Sequence, residues 1–399
     1  MDNKKNGIPK LRFPGFTGAW EQRKLGEVAH IETGKLDANA MVENGKYDFY
    51  TSGIKKYRID IPAFKGPAIT IAGNGATVGY MHLADGEFNA YQRTYVLTKF
   101  LANRHFIFSE IGNKLPRKIQ QESRAGNIPY IVMDMLTDLQ LFLPSIAEQE
   151  KVGELLNKLN SLITLHQRKL EHLQEQKKGL LQKMFPKNGE VVPEVRFPGF
   201  TDAWEQRKFF DNIEKVIDFR GRTPKKLGME WSAEGYTALS ALNVKDGYID
   251  FTADVHYANQ DLYDKWMAGN ELYKGQVLFT TEAPMGNVAQ VPDNRKYVLS
   301  QRTIAFNVDK TKVTNDFLAV LLRSQNVQHT LKSLASGGTA QGVSQKSLSQ
   351  LKVILPINPK EQQEIGNFFN HFDSLITLHQ RKLEHLELMK KGLLQQMFV

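Results

Sequence analysis

The sequence contains no cysteine among its 399 residues. This excludes disulfides, thiolate zinc sites and cysteine nucleophiles from the chemistry of the chain. Long apolar runs are missing as well, because no uncharged stretch approaches the ~20 residues that span a bilayer. The segment that follows Met1 is polar and charged, and it does not resemble a signal peptide. These features predict a soluble, cytoplasmic protein.

Motifs that bind nucleotides, cofactors or metals are also missing. The glycine-rich residues 73–79 fit neither G-x-G-x-x-G nor the P-loop pattern. Residues 127–130, Asn-Ile-Pro-Tyr, lack the first proline of the adenine-methyltransferase motif Asn-Pro-Pro-Tyr and have no companion motif. No His-Glu-x-x-His occurs, so His166 and His379 are interpreted as ordinary helix residues. We therefore expect no catalytic residue, no cofactor and no metal site on this chain.

Lysine and arginine outnumber acidic residues by 52 to 43, which gives a formal net charge of +9. The excess lies on residues 1–143 and 195–355, whereas residues 144–194 and 356–399 are nearly balanced. A basic surface favours a polyanionic partner such as nucleic acid, although an ordinary solvated surface can show the same balance.

The chain repeats two segments almost unchanged. Residues 13–24 return as residues 197–208 with one substitution, and residues 161–173 return unchanged as residues 374–386. The two offsets are 184 and 213 residues, so the second half holds 29 more residues between these landmarks. Since chance does not produce such matches, the chain consists of two related halves.

Weaker matches fill the space between these landmarks. Gln92-Arg93 corresponds to Gln301-Arg302, and a strand-like run follows each pair. Residues 139–144 match residues 351–356. Each half is therefore predicted to be a mixed α/β block of short strands followed by one long helix. We call these parts the first block (residues 1–143), the first spacer helix (144–187), the second block (188–355) and the second spacer helix (356–399).

Helix signals support the two spacer helices. Residues 145–148 form a capping box in which Glu148 is expected to reach back to the helix start. Asn358 is an N-cap before Pro359 in the second copy. Each helix has about 40 residues and a length of ~60 Å. Apolar residues recur on a three-four spacing. The predicted core of the helix pair consists of Leu155, Leu159, Leu162, Leu170, Leu173, Phe368, Phe372, Leu375, Leu383 and Leu386.

The two apolar stripes are nearly the same, which favours packing of one helix against the other. Equivalent surfaces that pack together imply a two-fold relation and hence an antiparallel pair. The pair is expected to act as a rod with one block at each end. Lysines at residues 169, 177 and 178, and at 382, 390 and 391, are assigned to its solvated face.

Polar and basic loops supply the candidates for DNA contact. Phosphate contacts need Lys and Arg, and base-edge contacts need Arg, Asn, Gln, Glu or Thr, although each loop alone could be ordinary solvated surface. The candidates in the first block are Lys55, Lys56, Tyr57, Arg58, Asn74, Arg117, Lys118, Arg124 and Asn127. Those in the second block are Arg220, Arg222, Thr223, Lys225, Lys226, Glu282, Asn287, Thr339 and Gln341. Residues shared by both blocks should do shared work, so Gln92, Arg93, Gln301 and Arg302 are predicted to be structural or to position phosphates.

Two dissimilar blocks that alternate with near-copies of a long helix resemble the specificity subunits of Type I restriction-modification systems. The repeats Phe-Pro-Gly-Phe-Thr-x-Ala-Trp-Glu-Gln-Arg-Lys and Ser-Leu-Ile-Thr-Leu-His-Gln-Arg-Lys-Leu-Glu-His-Leu are similar to those of staphylococcal members. The resemblance covers essentially the whole chain. It implies a bacterial, non-catalytic subunit in which each block is a target recognition domain that reads one half of a split site in double-stranded DNA.

The resemblance also implies partners. Two methyltransferase subunits would dock on the helices and use S-adenosylmethionine, and two restriction subunits would use ATP and Mg²⁺ for cleavage. Two other interpretations stay open: a self-contained methyltransferase with degenerate motifs, and a scaffold whose blocks bind proteins. Methyl transfer by the purified chain would favour the first, and a lack of salt-sensitive DNA affinity would favour the second.

Overall fold

The structure is a computed structural model that describes residues 7–122, 128–187, 189–336 and 341–399. The chain forms two compact units. The first unit comprises residues 1–166 and 382–399, and the second comprises residues 167–381. Both contain small sheets and parts of two long helices, which confirms the predicted mixed α/β class.

Among its described residues, the first block contains ten short strands and three α-helices. The strands are β1 (Glu21–Lys24), β2 (His30–Thr33), β3 (Tyr47–Tyr50), β4 (Tyr57–Ile59), β5 (Phe64–Lys65), β6 (Ala68–Ala72), β7 (Met81–Ala84), β8 (Glu87–Ala90), β9 (Thr94–Thr98) and β10 (Gln140–Leu143). The helices are α1 (Leu25–Val28), α2 (Arg104–Glu122) and α3 (Met133–Thr137). One sheet has the order β2-β9-β6-β7, and a second has the order β4-β3-β8-β5 with β3 parallel to β8.

The second block repeats this topology with one strand fewer in the second sheet. Its strands are β11 (Glu205–Lys208), β12 (Ile213–Asp218), β13 (Tyr236–Leu239), β14 (Tyr257–Ala258), β15 (Val277–Thr280), β16 (Val288–Gln290), β17 (Val298–Leu299), β18 (Thr303–Val308) and β19 (Lys352–Leu355). Its helices are α5 (Gln260–Met267), α6 (Asn315–Arg323), α7 (Gln325–Leu334) and α8 (Gln345–Leu348). The sheets have the orders β12-β18-β15-β16 and β14-β13-β17, and β13 is parallel to β17.

The repeated segments at the two ends of each block pair with each other. β1 and β10 form an antiparallel ribbon in which Glu21 faces Leu143, and β11 and β19 form the same ribbon with Glu205 facing Leu355. Each block therefore begins and ends on one two-stranded sheet, and this shared closure explains why these segments are alike in both halves.

The spacer helices are α4 (Ile146–Lys183) and α9 (Pro359–Met397), with 38 and 39 residues against the predicted 40. Asn358 caps α9 as predicted, because its side-chain oxygen accepts from the backbone N–H of Lys360 at 3.0 Å. The capping role predicted for Glu148 is wrong. Both of its carboxylate oxygens accept from the guanidinium of Arg12, since a buried carboxylate needs a cationic partner.

Each unit contains the start of one spacer helix and the end of the other. In the first unit, Val152 and Leu156 of α4 share a core with Met397 at the end of α9. In the second unit, Met184, which follows α4, shares a core with Ile365 and Phe369 of α9. Both arrangements are those that the predicted antiparallel pair requires.

The phase of the buried stripe differs from the prediction at one position on α4 and two on α9. Leu162 is 45% exposed, and Ile163 is buried in its place. Phe368 and Leu375 are half-buried, whereas Phe369 and Ile376 are buried. Phe369 belongs to the core of the second block, so its burial reflects packing against that block as well as against a partner helix.

The rest of the predicted helix-pair core is buried to different degrees. Leu159 is buried, and Leu155 and Phe372 are half-buried. The other four are half-buried: Leu170, Leu173, Leu383 and Leu386. The assignment of Lys177 to the solvated face is wrong, because its side chain is 9% exposed and bonds to a carboxylate of α9.

Candidate nucleic-acid interface

A cavity of about 350 Å³ opens in the second block beside the predicted DNA-contact residues. Thr223, Gln301 and Arg302 line it. The amide of Gln301 donates to the backbone carbonyl of Arg222, and the guanidinium of Arg302 lies 2.8 Å from the carboxylate of Glu282. Three candidates therefore line one cavity, and Arg222 and Glu282 contact two of them.

Aromatic side chains that sequence reasoning missed form one wall of this cavity. The rings of Trp231 and His256 stack with their centres 5.5 Å apart, and Trp231 also packs against Trp266. His256 bonds to the carboxylate of Asp254 at 3.2 Å. Trp231 and Trp266 have no counterparts in the first block, so their restriction to one block was the signal available in the sequence.

The backbone around the cavity is strained. Asp254, Ala283 and Arg302 have φ angles of 45°, 49° and 65°, in the left-handed region that residues other than glycine rarely adopt. All three line the cavity. Non-glycine residues in this region cluster at ligand-binding sites, because the surrounding structure must hold them there.

Two candidates in the second block, Arg222 and Asn287, donate hydrogen bonds to backbone carbonyls of the same block. Arg222 donates to the carbonyl of Trp266 and lies over the ring of Phe219. The amide of Asn287 donates to the carbonyl of Val244 at 2.9 Å. These contacts make Arg222 and Asn287 supports for the loops around the cavity.

The remaining candidates in the second block are placed as follows. Thr223 caps a short 3-10 turn through the backbone N–H of Lys226 at 3.2 Å. Lys225, Lys226, Arg220 and Gln341 are exposed. Thr339 lies outside the described residues.

In the first block, one acidic residue organises the basic candidates. Asp48 lies 2.5 Å from Arg58 and 3.6 Å from Lys56. Tyr57 and Arg58 belong to β4, so the prediction that they lie in a loop is wrong. Lys55 is exposed and lies over the ring of Tyr57. This group forms an exposed basic edge along β3 and β4.

Asn74 lies near this basic edge, whereas two other candidates are elsewhere. The side-chain oxygen of Asn74 accepts from Ser52 at 2.6 Å. Arg117 and Lys118 belong to helix α2, contrary to the loop prediction, and line another cavity of about 610 Å³. Arg124 and Asn127 lie outside the described residues.

The shared Gln-Arg pairs hold equivalent turns. The carbonyl of Arg93 accepts from the backbone N–H of Gly73, and that of Arg302 accepts from Thr281, both at 2.8 Å. A Cβ on Gly73 would lie 2.3 Å from the carbonyl oxygen of Arg93, so only glycine fits this approach. The hydrogen-bond partners of the two glutamine side chains differ. The amide of Gln92 donates to the carboxylate of Asp37 at 3.4 Å, whereas that of Gln301 donates to the backbone carbonyl of Arg222.

The described part of the chain offers neither a cluster of metal-binding side chains nor a membrane-spanning helix. Among those residues, no group of three or more histidine, aspartate or glutamate side chains could hold a metal ion. No helix there is long and apolar enough to cross a membrane.

Comparison with known proteins assigns the fold and the family. The crystal structure of a Type-I restriction-modification system S subunit from M. genitalium matches with a TM-score of 0.68 at 16% identity, over 98% of this chain and 99% of that chain. The EcoDI specificity subunit of Escherichia coli is 27% identical over 374 residues, which is 87% of this chain and 79% of that protein. The MjaVIII specificity subunit of Methanocaldococcus jannaschii is 22% identical over 69% of this chain and 65% of that protein.

The family model described as the Type I restriction modification DNA specificity domain matches the chain twice, over residues 18–175 and 203–388. The two matches follow the two blocks and the spacer helix attached to each. They confirm the resemblance drawn from the repeats: the chain belongs to the family of specificity subunits of Type I restriction-modification systems.

Proposed function

We propose that the chain directs a Type I restriction-modification complex to a split DNA target, with one half-site read by each block. The duplicated topology supports this proposal, because two equivalent blocks provide two equivalent binding surfaces. The net charge of +9 supports a polyanionic partner. In this proposal the chain is a cytoplasmic, non-catalytic subunit. Adenine methylation and ATP-dependent cleavage belong to two modification and two restriction subunits, which hold the S-adenosylmethionine, ATP and Mg²⁺.

The observation that carries the proposal is that Thr223, Gln301 and Arg302 line one cavity, with Glu282 paired to Arg302. In this assignment the cavity rim of the second block reads bases. Glu282 can accept a hydrogen bond from the amino group of cytosine, and Arg302 holds its carboxylate in place. In the first block, the basic edge formed by Lys55, Lys56 and Arg58 contacts phosphates.

Mapping of methylated adenines tests the proposal. The chain is co-expressed with its modification subunits in a host without other methyltransferases, and the genome is sequenced for modified bases. We expect one split motif with two specific halves and a fixed gap. Methylation of a single continuous motif would contradict the assignment of one half-site to each block.

The two rival interpretations have separate tests. The purified chain, mixed with DNA and labelled S-adenosylmethionine but without partners, should transfer no label. Incorporation would favour a self-contained methyltransferase. Binding of the assembled complex to DNA should weaken steeply with salt, and binding that is absent or independent of salt would favour a scaffold.

A further inference from the structure

A cluster of buried charged side chains joins three elements of the second unit. Lys177 lies near the end of α4, Asp373 lies on α9, and Arg323 is the last residue of α6. One carboxylate oxygen of Asp373 lies 2.5 Å from the Lys177 ammonium, and the other lies 2.7 Å from Nη1 of Arg323. The three side chains are only 9%, 16% and 4% exposed, in the order Lys177, Asp373 and Arg323.

The cluster is not expected to add much to the free energy of unfolding. Nε and Nη2 of Arg323 are buried without a hydrogen-bond partner, and the carboxylate of Asp246 is 3.7 Å from Nε. Buried ion pairs contribute little net stability compared with apolar packing, but they strongly disfavour arrangements that separate the charges. The cluster therefore selects one orientation of α6 against the two spacer helices.

A hairpin connects this cluster to the loop of Asn287. The hairpin is closed by the bridge between Val244 and Ile249 and has Gly247 at its tip. A Cβ on Gly247 would lie 2.6 Å from Nη1 of Arg323, so the hairpin touches the guanidinium directly. The backbone N–H of Gly247 donates to Val288, and the amide of Asn287 donates to Val244. The loop that contains Asn287 is therefore supported by this hairpin, which contacts Arg323.

The first unit has no such cluster at the corresponding positions. The repeat aligns Lys177 with Lys390 and Asp373 with Asn160. Alignment of α6 with α2, in which Phe317 matches Phe106, places Gly112 opposite Arg323. An amide and a glycine replace the two central charges, so the second block has a charged contact with the spacer helices that the first block lacks at these positions.

We propose that Asp373 is a positioning residue that, with Lys177 and Arg323, locks the second block in one orientation on the spacer helices. Resting on the proposed function, this lock fixes the gap between the two half-sites without contacting DNA. The first block is attached without the lock, so the gap is controlled from the side of the second block.

Spin-label distances test the lock independently of DNA reading. Since the chain has no cysteine, Glu175→Cys on α4 and Lys265→Cys on α5 give two unique labelling sites in the full chain, and both residues are exposed. We expect one narrow distance distribution in the parent and a broad or double one after Asp373→Asn. The matched control Asn160→Ala, at the corresponding site of the first unit, should leave the narrow distribution unchanged.

A second variant keeps the test decisive if Asp373→Asn destabilises the fold. Arg323→Met removes the charge, leaves the Lys177–Asp373 pair intact and replaces the guanidinium with an apolar side chain. It should broaden the distribution as well. An unchanged, narrow distribution in a folded variant would overturn the proposal, even if its melting temperature fell.

Gap selection provides the functional readout. The complex with modification subunits methylates duplexes whose half-sites are separated by the native gap or by one base pair more or less. Asp373→Asn should raise methylation at the wrong gaps relative to the native gap by about tenfold, equivalent to about 1.4 kcal/mol, while both half-site sequences stay the same. An unchanged gap profile would overturn control of the gap by the lock. If the parent complex recognises no split site, but Asp373→Asn broadens the narrow distance distribution of the parent as expected, the result would contradict the proposed function and support the lock.

Discussion

Nε and Nη2 of Arg12 donate to the two carboxylate oxygens of Glu148, 136 residues further along the chain, at 2.7 and 2.8 Å. Arg196 and Glu361 form the same bidentate pair in the second unit, at 2.6 and 2.8 Å. Each arginine precedes the entry strand of its block, and each glutamate lies in the first turn of a spacer helix. Because bidentate pairs restrict geometry as well as add energy, they fix the start of each helix against its block.

Glu148→Gln and Glu361→Gln should destabilise their units by about 3 kcal/mol, because each leaves a largely buried arginine side chain, 15% or 11% exposed, without its counter-charge. The loss should be larger for Glu361→Gln. The indole N–H of Trp204 also donates to Glu361 at 3.1 Å, whereas the indole nitrogen of Trp20 is buried without a partner. Denaturant unfolding followed by tryptophan fluorescence measures both losses. Glu154→Gln, which removes an exposed pair with Lys158, is the control and should cause no measurable change. Equal losses from all three variants would refute the role of the bidentate pairs.

Glu282→Ala should relax base preference in the second half-site and leave the first unchanged. If Glu282 contacts a base directly, the lost discrimination is about 1–3 kcal/mol. Arg302→Ala should produce part of the same effect, because Arg302 holds the Glu282 carboxylate at 2.8 Å. Methylation of a DNA library with randomised half-sites measures this. A change of preference in the first half-site would show that the two blocks do not read separately.

Lys55→Ala and Lys225→Ala should weaken binding to all sequences to a similar extent, because both side chains are exposed and suited to phosphate contact. Each lost phosphate contact should reduce the slope of log K against log salt by about 0.9. Titrations of the assembled complex at several salt concentrations measure the slope. Lys158→Ala on α4, outside both blocks, is the matched control. A sequence-dependent loss from either lysine would assign it to base reading instead.

The stability of the first unit should depend on the ionisation of Glu110. Burial raises the pKa of Glu110 above its usual value, although Lys114 lies 2.8 Å away and partly opposes the shift. A carboxyl group whose folded-state pKa is raised binds its proton more tightly in the folded state, so it lowers stability as pH rises above the unfolded pKa of about 4.5.

Glu110→Gln removes this dependence. The melting temperature of the variant relative to the parent should therefore be higher at pH 8 than at pH 5. Glu154→Gln, which removes an exposed carboxyl group paired with Lys158, is the matched control, and its melting temperature relative to the parent should not change measurably between the two pH values. A difference for Glu110→Gln that shrinks as pH rises would contradict the role assigned to burial.

Lengthening both spacer helices should lengthen the gap between half-sites. One heptad inserted after Gln167 and one after Gln380 adds about 10 Å to each helix, which corresponds to about three base pairs, and nearly preserves the phase of the apolar stripe. Gln167 and Gln380 are equivalent positions of the repeated segment, so the two insertions are matched. Methylation mapping should show unchanged half-sites with a longer gap. An active complex with the native gap would exclude the helices as the ruler.

The repeats in the sequence predicted the fold more closely than they predicted the interface. Residues 13–24 and 139–144 are both repeated, and the structure shows that they pair as β1 and β10, so one cause explains both repeats. The length and order of the spacer helices also followed from capping signals and periodicity. The position of the buried stripe did not, because Phe369 faces a block core that helix periodicity alone does not reveal.

The cavity was predictable only in part. Thr223 and Glu282 were selected by residue type and Arg302 by the repeat, but their arrangement depends on loops whose backbone angles have no sequence signature. Trp231 and His256 are distant in sequence, so no local pattern indicates that their rings stack in the folded chain. Lys177 was assigned to solvent because its partner, Asp373, is 196 residues away.

The two-stranded sheet that closes each block allows the interior of the block to change in evolution while its connection to the spacer helix is kept. Everything between Lys24 and Gln140 is bounded by strands that hold each other, and Lys208 and Lys352 bound the second block in the same way. A gene could acquire a new interior between these anchors while the joint to the helix stays the same. New target preferences could then arise by exchange of the interior of one block at a time. Each exchange would leave the target preference of the other block unchanged.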